Sequence, residues 1–323
     1  MSILDQSAEA LNRLFDTALT ADRTALDVPE HFGRWLFAER LRARGERGEM
    51  GFFAYEGPAH VAKFFLWHRK AAFPDYLDAA GAGDLAAASA TADALAFDRL
   101  GLPKDPAMLL HMGRYNAQDH LLMRAYPVPA RMRPQVILDF GAGHGRLANL
   151  GFNDPDASRR LTHYIAVDAI PSTYFVQLAY LRALGLRVWE YLEHRDDTPT
   201  RDSLRAAMAT HDVIHLPTWR LDLLPDGVAD MVSCVQVLRE LPGALVVEAV
   251  RAFGRLTGPV GAVYQRDHLQ FHDPNHMPID RLLAAAGFAL EFAPAIRDRG
   301  DLHGVPRIWR KVDPSLYVWP QNS

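Results

Sequence analysis

The 323-residue chain has a single cysteine, Cys234, so no intrachain disulfide can form and no cysteine-based zinc pattern fits. Cys234 sits inside the apolar run MVSCVQVL, which reads as core rather than as a nucleophile. A long apolar run is missing too. No window reaches the roughly 18 continuous apolar residues of a membrane helix, so no span is expected. The start, MSILDQSAEA, lacks the basic residues and apolar stretch of a signal peptide. A soluble, cytoplasmic protein is the expectation. Basic charge is not in excess: Lys and Arg number 35 against 39 Asp and Glu, for a net charge of −4. The basic residues are scattered, so there is no electrostatic reason to expect nucleic acid as a partner. Internal repeats and long low-complexity linkers are absent as well.

What is present divides into two textures, which predict two regions. Residues 1–130 read as a helical N-terminal region. Leu4, Ala8, Leu11, Leu14 and Phe15 recur at helical spacing, as do Trp35, Leu36, Glu39 and Leu41. The Ala-rich stretch before residue 100 predicts a helix from Asp84. Pro127, Pro129 and Pro134 then mark a connection rather than an element.

Residues 131–323 alternate strand and helix, which predicts an α/β fold on a mostly parallel sheet. VILDF (136–140), HYIAVDA (163–169), DVIHLPTW (212–219), ADMVSCVQVL (229–238) and VGAVYQRD (260–267) read as strands. ALEFAPAI (289–296) and PRIWRKVD (306–313) read as two more. Helices are expected at 172–185, capped by Ser172 or Thr173, and at 243–258 and 279–288. The stretch 186–211 reads as an insertion with one short helix near 202–210.

The strand–turn–helix at 136–147, VILDFGAGHGRL, carries the chemistry. Gly141, Gly143 and Gly145 remove side chains where the backbone turns sharply and lies against a ligand. The following helix start offers free N–H groups. A dinucleotide site uses the pattern GxGxxG, but here the third-glycine position holds Arg146. Asp139, two residues before the first glycine, suits a ligand with an ammonium group. Asp168 ends the next strand, where a carboxylate can accept two hydrogen bonds from ribose hydroxyls. That geometry supports a nucleoside ligand without choosing among them.

VILDFGAGHGRL is similar to the glycine motif of class I S-adenosylmethionine (SAM)-dependent methyltransferases. YIAVDA (164–169) resembles their acidic ribose-binding motif, LDLLPDGVADMVSCVQVLREL (221–241) their fourth-strand motif, and LLAAAGFALEF (282–292) the turn before their sixth strand. The resemblance implies a Rossmann-like sheet of seven strands, the last antiparallel, with SAM as the cofactor. VDAIPSTYFVQLAYLRALG (167–185) and HGVPRIWRK (303–311) further resemble sugar O-methyltransferases of natural-product pathways.

By that resemblance Asp139, Gly141, Ala142 and Gly143 contact the methionine part of SAM, and Asp168 with Ala169 holds the ribose. Thr218, Trp219 and Arg220 flank the adenine, with Asp222 as a candidate acidic contact. Trp219 reads equally as a stacking platform or as core. Gln236 and Glu240, after the fourth strand, are expected near the sulfur and the acceptor. A hydroxyl acceptor needs a base, and QRDHLQFHDPNH (265–276) offers one. His268 beside Asp267 is the first candidate and His272 the next, since a neighbouring carboxylate orients an imidazole and raises its pKa. His276 is an acceptor contact. His268, His272 and His276 are four apart, but Pro274 and Pro278 break a metal-binding helix, so no metal is expected. His144 reads as packing near SAM. Upstream, Arg114, Tyr115, Asp119 and His120 are candidate lid contacts, of which Tyr115 and His120 are assigned to the acceptor. The N-terminal helices supply the acceptor pocket or a homodimer contact.

The sequence therefore predicts a methyltransferase acting on a hydroxyl of a small molecule, a sugar or glycosylated natural product. Amine, carboxylate or peptide acceptors are the alternatives within the class. Outside it stand a nicotinamide-dependent oxidoreductase and a non-catalytic SAM-binding protein.

Overall fold

Val136–Phe140 (β1) lies in the interior of a sheet and has a later strand on each side: His163–Asp168 (β2) and Ala229–Val235 (β5), both parallel to it. Its alternation explains the central place. Ile137 and Asp139 face one side and Leu138 and Phe140 the other, and all four are buried. The computed structural model describes residues 2–26, 54–67, 82–125, 134–267, 277–293 and 306–312; at 115, 116, 118, 124 and 125 it describes the backbone alone.

The remaining strands are Val188–Glu190 (β3), Val213–Pro217 (β4), Thr257–Arg266 (β6), Phe288–Phe292 (β7) and Arg307–Lys311 (β8), in the order β3-β4-β2-β1-β5-β6-β8-β7. Six strands are parallel, and β8 runs antiparallel to both β6 and β7. The fold is α/β and Rossmann-like. All seven expected strands are present, but among the described residues the sheet has eight. The addition, β3, comes from the stretch read as an insertion. Three residues are too few for a period-2 pattern to stand out.

Helices Ala8–Leu26 (α1), Ala59–Trp67 (α2), Ala82–Arg99 (α3) and Pro106–Ala125 (α4) make up the described N-terminal region. Leu11, Phe15 and Ala18 turn one face of α1 inward. The N-terminal residues Phe15, Val61, Phe65 and Phe97 belong to one buried cluster with the strand residues Leu138, Val167 and Val232. Trp35, Leu36, Glu39 and Leu41 lie outside the described residues.

In the α/β part, Arg146–Phe152 (α5) follows β1 and Pro171–Ala183 (α6) follows β2. Tyr191–His194 (α7) and Arg201–Met208 (α8) fill the former insertion. Gly243–Leu256 (α9) and Ile279–Ala285 (α10) are the other α-helices among the described residues. The expected N-cap of α6 is corrected: Ile170 is the cap and Pro171 takes the first helical position, where a missing N–H costs nothing. Thr173 donates its hydroxyl to Asp168 instead. Cys234 is buried, as expected. Among the described residues no helix is long and apolar enough to cross a membrane.

Candidate functional site

The chain leaves β1 toward β2 on one side and returns to β5 on the other, so a crevice opens at the carboxyl ends of these strands. The glycine turn lies there. Gly141, Gly143 and Gly145 adopt φ of +72°, +58° and +73°, conformations side chains rarely take. The N–H of Gly141 and that of Ala142 both donate to Val167 O, at 2.9 and 3.3 Å, which ties the turn to the end of β2. A Cβ on Gly141 would lie 2.4 Å from Cγ2 of Val237, just after β5. At Gly143 no heavy atom lies within 4 Å of where a Cβ would be. One glycine is therefore required by a protein neighbour, and the next faces open space. His144 packs its ring near Phe64 and Phe65 of α2, at 6.4 and 5.6 Å between centroids.

Asp139 is buried and accepts a hydrogen bond from the Tyr164 hydroxyl on β2. Burial pushes its pKa up to about 6, against that bond and the nearby Ser233 hydroxyl, with Asp119 and Asp168 adding like charge. The group is an acceptor in a dry place, suited to a cationic partner.

Asp168 Oδ1 accepts three donors: the N–H of Ala169 (2.8 Å), the N–H of Ile170 (3.4 Å) and the Thr173 hydroxyl (2.5 Å). Oδ2 accepts one, the Gln177 amide at 2.7 Å. A carboxylate has about four lone-pair sites, so the room that remains is on Oδ2. The chain's own donors fill Oδ1, and Oδ2 is the oxygen that can take a further donor. Burial raises the pKa of Asp168 and these bonds oppose it. Ala169 opens the turn into α6 with its N–H turned back on Asp168.

Gln177 was not among the expected site residues. Its Nε2 donates both to Asp168 Oδ2 and to Gly143 O (3.0 Å), joining the two motifs. Its Oε1 meets Nε2 of His215 at 3.3 Å, and His215 Nδ1 hydrogen-bonds Glu190. Glu190 Oε1 in turn accepts from Tyr174 and from Leu192 N–H. Gln177, His215 and Glu190 are fully buried. Each stands among apolar residues in sequence, so only their pairing reveals them.

After β5 the chain passes through Gln236, whose φ of +59° is left-handed. Its N–H donates to Arg266 O at 2.6 Å. Asp267 is buried, and its carboxylate accepts the N–H groups of Val237 (3.1 Å) and Arg239 and the Gln265 amide (2.8 Å). Burial raises its pKa, and those partners oppose the shift. Asp267 therefore clamps the 236–240 turn. Glu240 is half-buried at the end of the single 3-10 turn that follows, Leu238–Glu240.

Thr218 and Trp219 follow β4 and are buried. The Trp219 indole N–H donates to Asp22 of α1 at 2.9 Å, and its ring meets Phe15 edge-on at 5.0 Å. This is the core placement of the two that the sequence allowed. Asp222 is exposed and pairs with Arg220. His120 is buried against Asp154 at 3.2 Å, just past the end of α5, rather than turned to an acceptor. Its neighbour Asp119 forms a two-point ion pair with buried Arg266 (2.8 and 2.6 Å) and accepts from Tyr264, fixing α4 to the end of β6. Arg114 is exposed. The side chain of Tyr115 and all of His268, His272 and His276 lie outside the described residues. Among the described residues no cluster of three or more His, Cys, Asp or Glu is arranged to hold a metal ion.

No family model matches the chain, and no curated protein matches it. Solved structures do. An O-methyltransferase family protein from Burkholderia thailandensis is 15% identical over 85% of this chain and 82% of its own, with a TM-score of 0.42. The 1,6-didemethyltoxoflavin-N1-methyltransferase of the same organism, solved with 1,6-didemethyltoxoflavin and S-adenosylhomocysteine, is 17% identical over 74% and 84%, at 0.36. A SAM-dependent methyltransferase from Aquifex aeolicus is 15% identical over 55% and 82%, at 0.38.

Proposed function

We propose that this chain is a SAM-dependent methyltransferase that acts on a hydroxyl of a small molecule, a sugar or glycosylated natural product. The observation that carries the reading is the joining of Gly143 and Asp168 through one amide, that of Gln177, at the switch point of the sheet. The open space over Gly143 is the cradle a ligand backbone needs. Asp139 is the acceptor for an ammonium, and Asp168 Oδ2 for one ribose hydroxyl.

A nicotinamide dinucleotide is the weaker reading. Its fingerprint calls for a third glycine where the helix packs closely on the strand. That position is Arg146, whose side chain is buried in an ion pair with Asp93 of α3. The sugar class of acceptor rests on the resemblance of 167–185 and 303–311; amine, carboxylate and peptide acceptors remain the competing outcomes of an acceptor screen.

When bound, SAM supplies a methyl group on a sulfonium whose sulfur departs neutral. The chain's own residues must hold the acceptor in line, exclude water and take up the hydroxyl proton. His268 is the proposed base and His272 the next candidate. Asp267, locked onto the 236–240 turn, fixes the point from which the 268–276 segment departs.

Calorimetry with SAM and NADH in parallel tests the class. Micromolar SAM binding with none for NADH is expected, and preference for NADH would overturn the reading. Asp168→Ala is expected to abolish SAM binding. His268→Ala is expected to cut turnover by roughly 10²–10⁴-fold with SAM affinity unchanged. Full turnover in that variant removes His268 as the base.

A further inference from the structure

Three buried polar side chains stand in a row behind the proposed cofactor carboxylate: Gln177 on α6, His215 on β4 and Glu190 on β3. The donors and acceptors in this row follow from the two acceptors that Gln177 meets. Gln177 meets two acceptors with one end of its amide, Asp168 Oδ2 and Gly143 O, so that end is the NH₂ group. The other end, Oε1, is an acceptor and faces His215 Nε2. Nε2 must therefore carry a proton. On the far side of the ring, Glu190 Oε1 is occupied by two donors, Tyr174 O–H and Leu192 N–H, while Oε2 pairs with His215 Nδ1. The ring of Tyr174 lies 4.0 Å from that of His215 and pins its plane.

We infer that Glu190 and His215 are positioning residues that act through Gln177. They orient its amide so that it braces the ribose-binding carboxylate and the glycine turn at once. The physical reason is the symmetry of a glutamine amide. Both ends have nearly the same shape, so packing alone does not select which end faces Asp168. Reversed, the amide oxygen would face a carboxylate oxygen and a carbonyl, both acceptors, at hydrogen-bond distance. The Nε2–H of His215 selects the right end, and Glu190 selects the orientation of His215. A buried polar row of this kind rigidifies only when every member is satisfied. The row also gives the added strand β3 a role: it delivers Glu190.

The inference rests on the SAM reading for its effect on affinity, but its proton assignment does not. The first test uses the wild-type protein with ¹⁵N-labelled histidine, with the His215 resonances identified by their loss in a variant. The Gln177 edge of the row predicts a protonated Nε2. An unprotonated Nε2 would overturn the inference whatever the cofactor.

The second test compares His215→Leu with His215→Gln by SAM calorimetry, with thermal melting as the check on folding. Only glutamine returns a donor near the place of Nε2. His215→Leu is expected to weaken SAM binding by about tenfold, the effect of one lost buried hydrogen bond. His215→Gln is expected to recover most of that. In turnover the loss is expected in KM for SAM and not in kcat. Equal affinity in wild type and His215→Leu would overturn the relay and leave the SAM reading standing. Absence of SAM binding in the wild type would overturn both.

Discussion

Tyr164 and Asp139 stand on adjacent strands, two residues out of register and on the same face, and the tyrosine hydroxyl donates to Asp139 Oδ2. The bond favours the charged carboxylate, yet burial wins and holds its pKa at about 6. Under the proposed reading the ligand's ammonium needs that charge. SAM affinity is therefore expected to fall as pH drops through about 6. Tyr164→Phe removes a bond to the charged form and is expected to move the midpoint upward. Calorimetry from pH 5 to 8 checks both, and a flat affinity profile would remove Asp139 from the site.

The same group makes the unliganded fold pH-dependent. The folded pKa lies above the ordinary carboxylate value of 3.8. Between the two values the folded protein binds more protons than the unfolded chain. The stabilisation is full below about 4 and lost as pH rises through about 6, on the order of 3 kcal/mol. Urea unfolding of wild type and Asp139→Asn at pH 4.5 and 7 isolates it. A wild-type slope no steeper than the variant's would overturn the assignment.

Gly141 and Gly143 are expected to respond differently to alanine. A methyl on Gly141 meets Val237, so Gly141→Ala should lower the melting temperature clearly. Gly143→Ala meets no protein atom, and should cost only the roughly 1 kcal/mol of its left-handed backbone while abolishing SAM binding. Retained binding in Gly143→Ala would mean that the open space is not the ligand's.

Gln236 carries strain that glycine would relieve. Gln236→Gly is expected to be tolerated within about 1 kcal/mol, whereas Gln236→Val, β-branched at φ +59°, should cost roughly 1–3 kcal/mol. Thermal melting separates the two, and equal stability would show that the turn adapts.

Arg146 and Asp93 form a buried ion pair between α5 and α3. Arg146→Met leaves the aspartate unpaired, at an expected cost of about 3–5 kcal/mol. The double variant Arg146→Met/Asp93→Leu should lose less than that single change, despite the Asn149 and Tyr180 bonds it gives up. Urea denaturation of both variants decides it, and a double variant less stable than the single one would contradict the pairing argument.

The α/β class, seven of the eight strands, the glycine turn and both motif carboxylates were legible in the sequence. Each is a local event: a short apolar run, a glycine where no side chain fits, an acid at a strand end. Tertiary structure alone decided the rest. Gln177, His215 and Glu190 come from two strands and a helix, and as single polar residues in apolar runs they announce nothing. Trp219 reads equally as an adenine platform or as core until Phe15 and Asp22, far earlier in the chain, arrive against it. His120 reads as a ligand contact until Asp154 meets it. Asp267 reads as a partner for a catalytic histidine, and only the fold shows the turn after β5 closing onto its oxygens. Periodicity and glycine conformation act within a few residues, so sequence determines them. A buried hydrogen bond needs its partner brought from elsewhere in the chain, and only the folded packing supplies it.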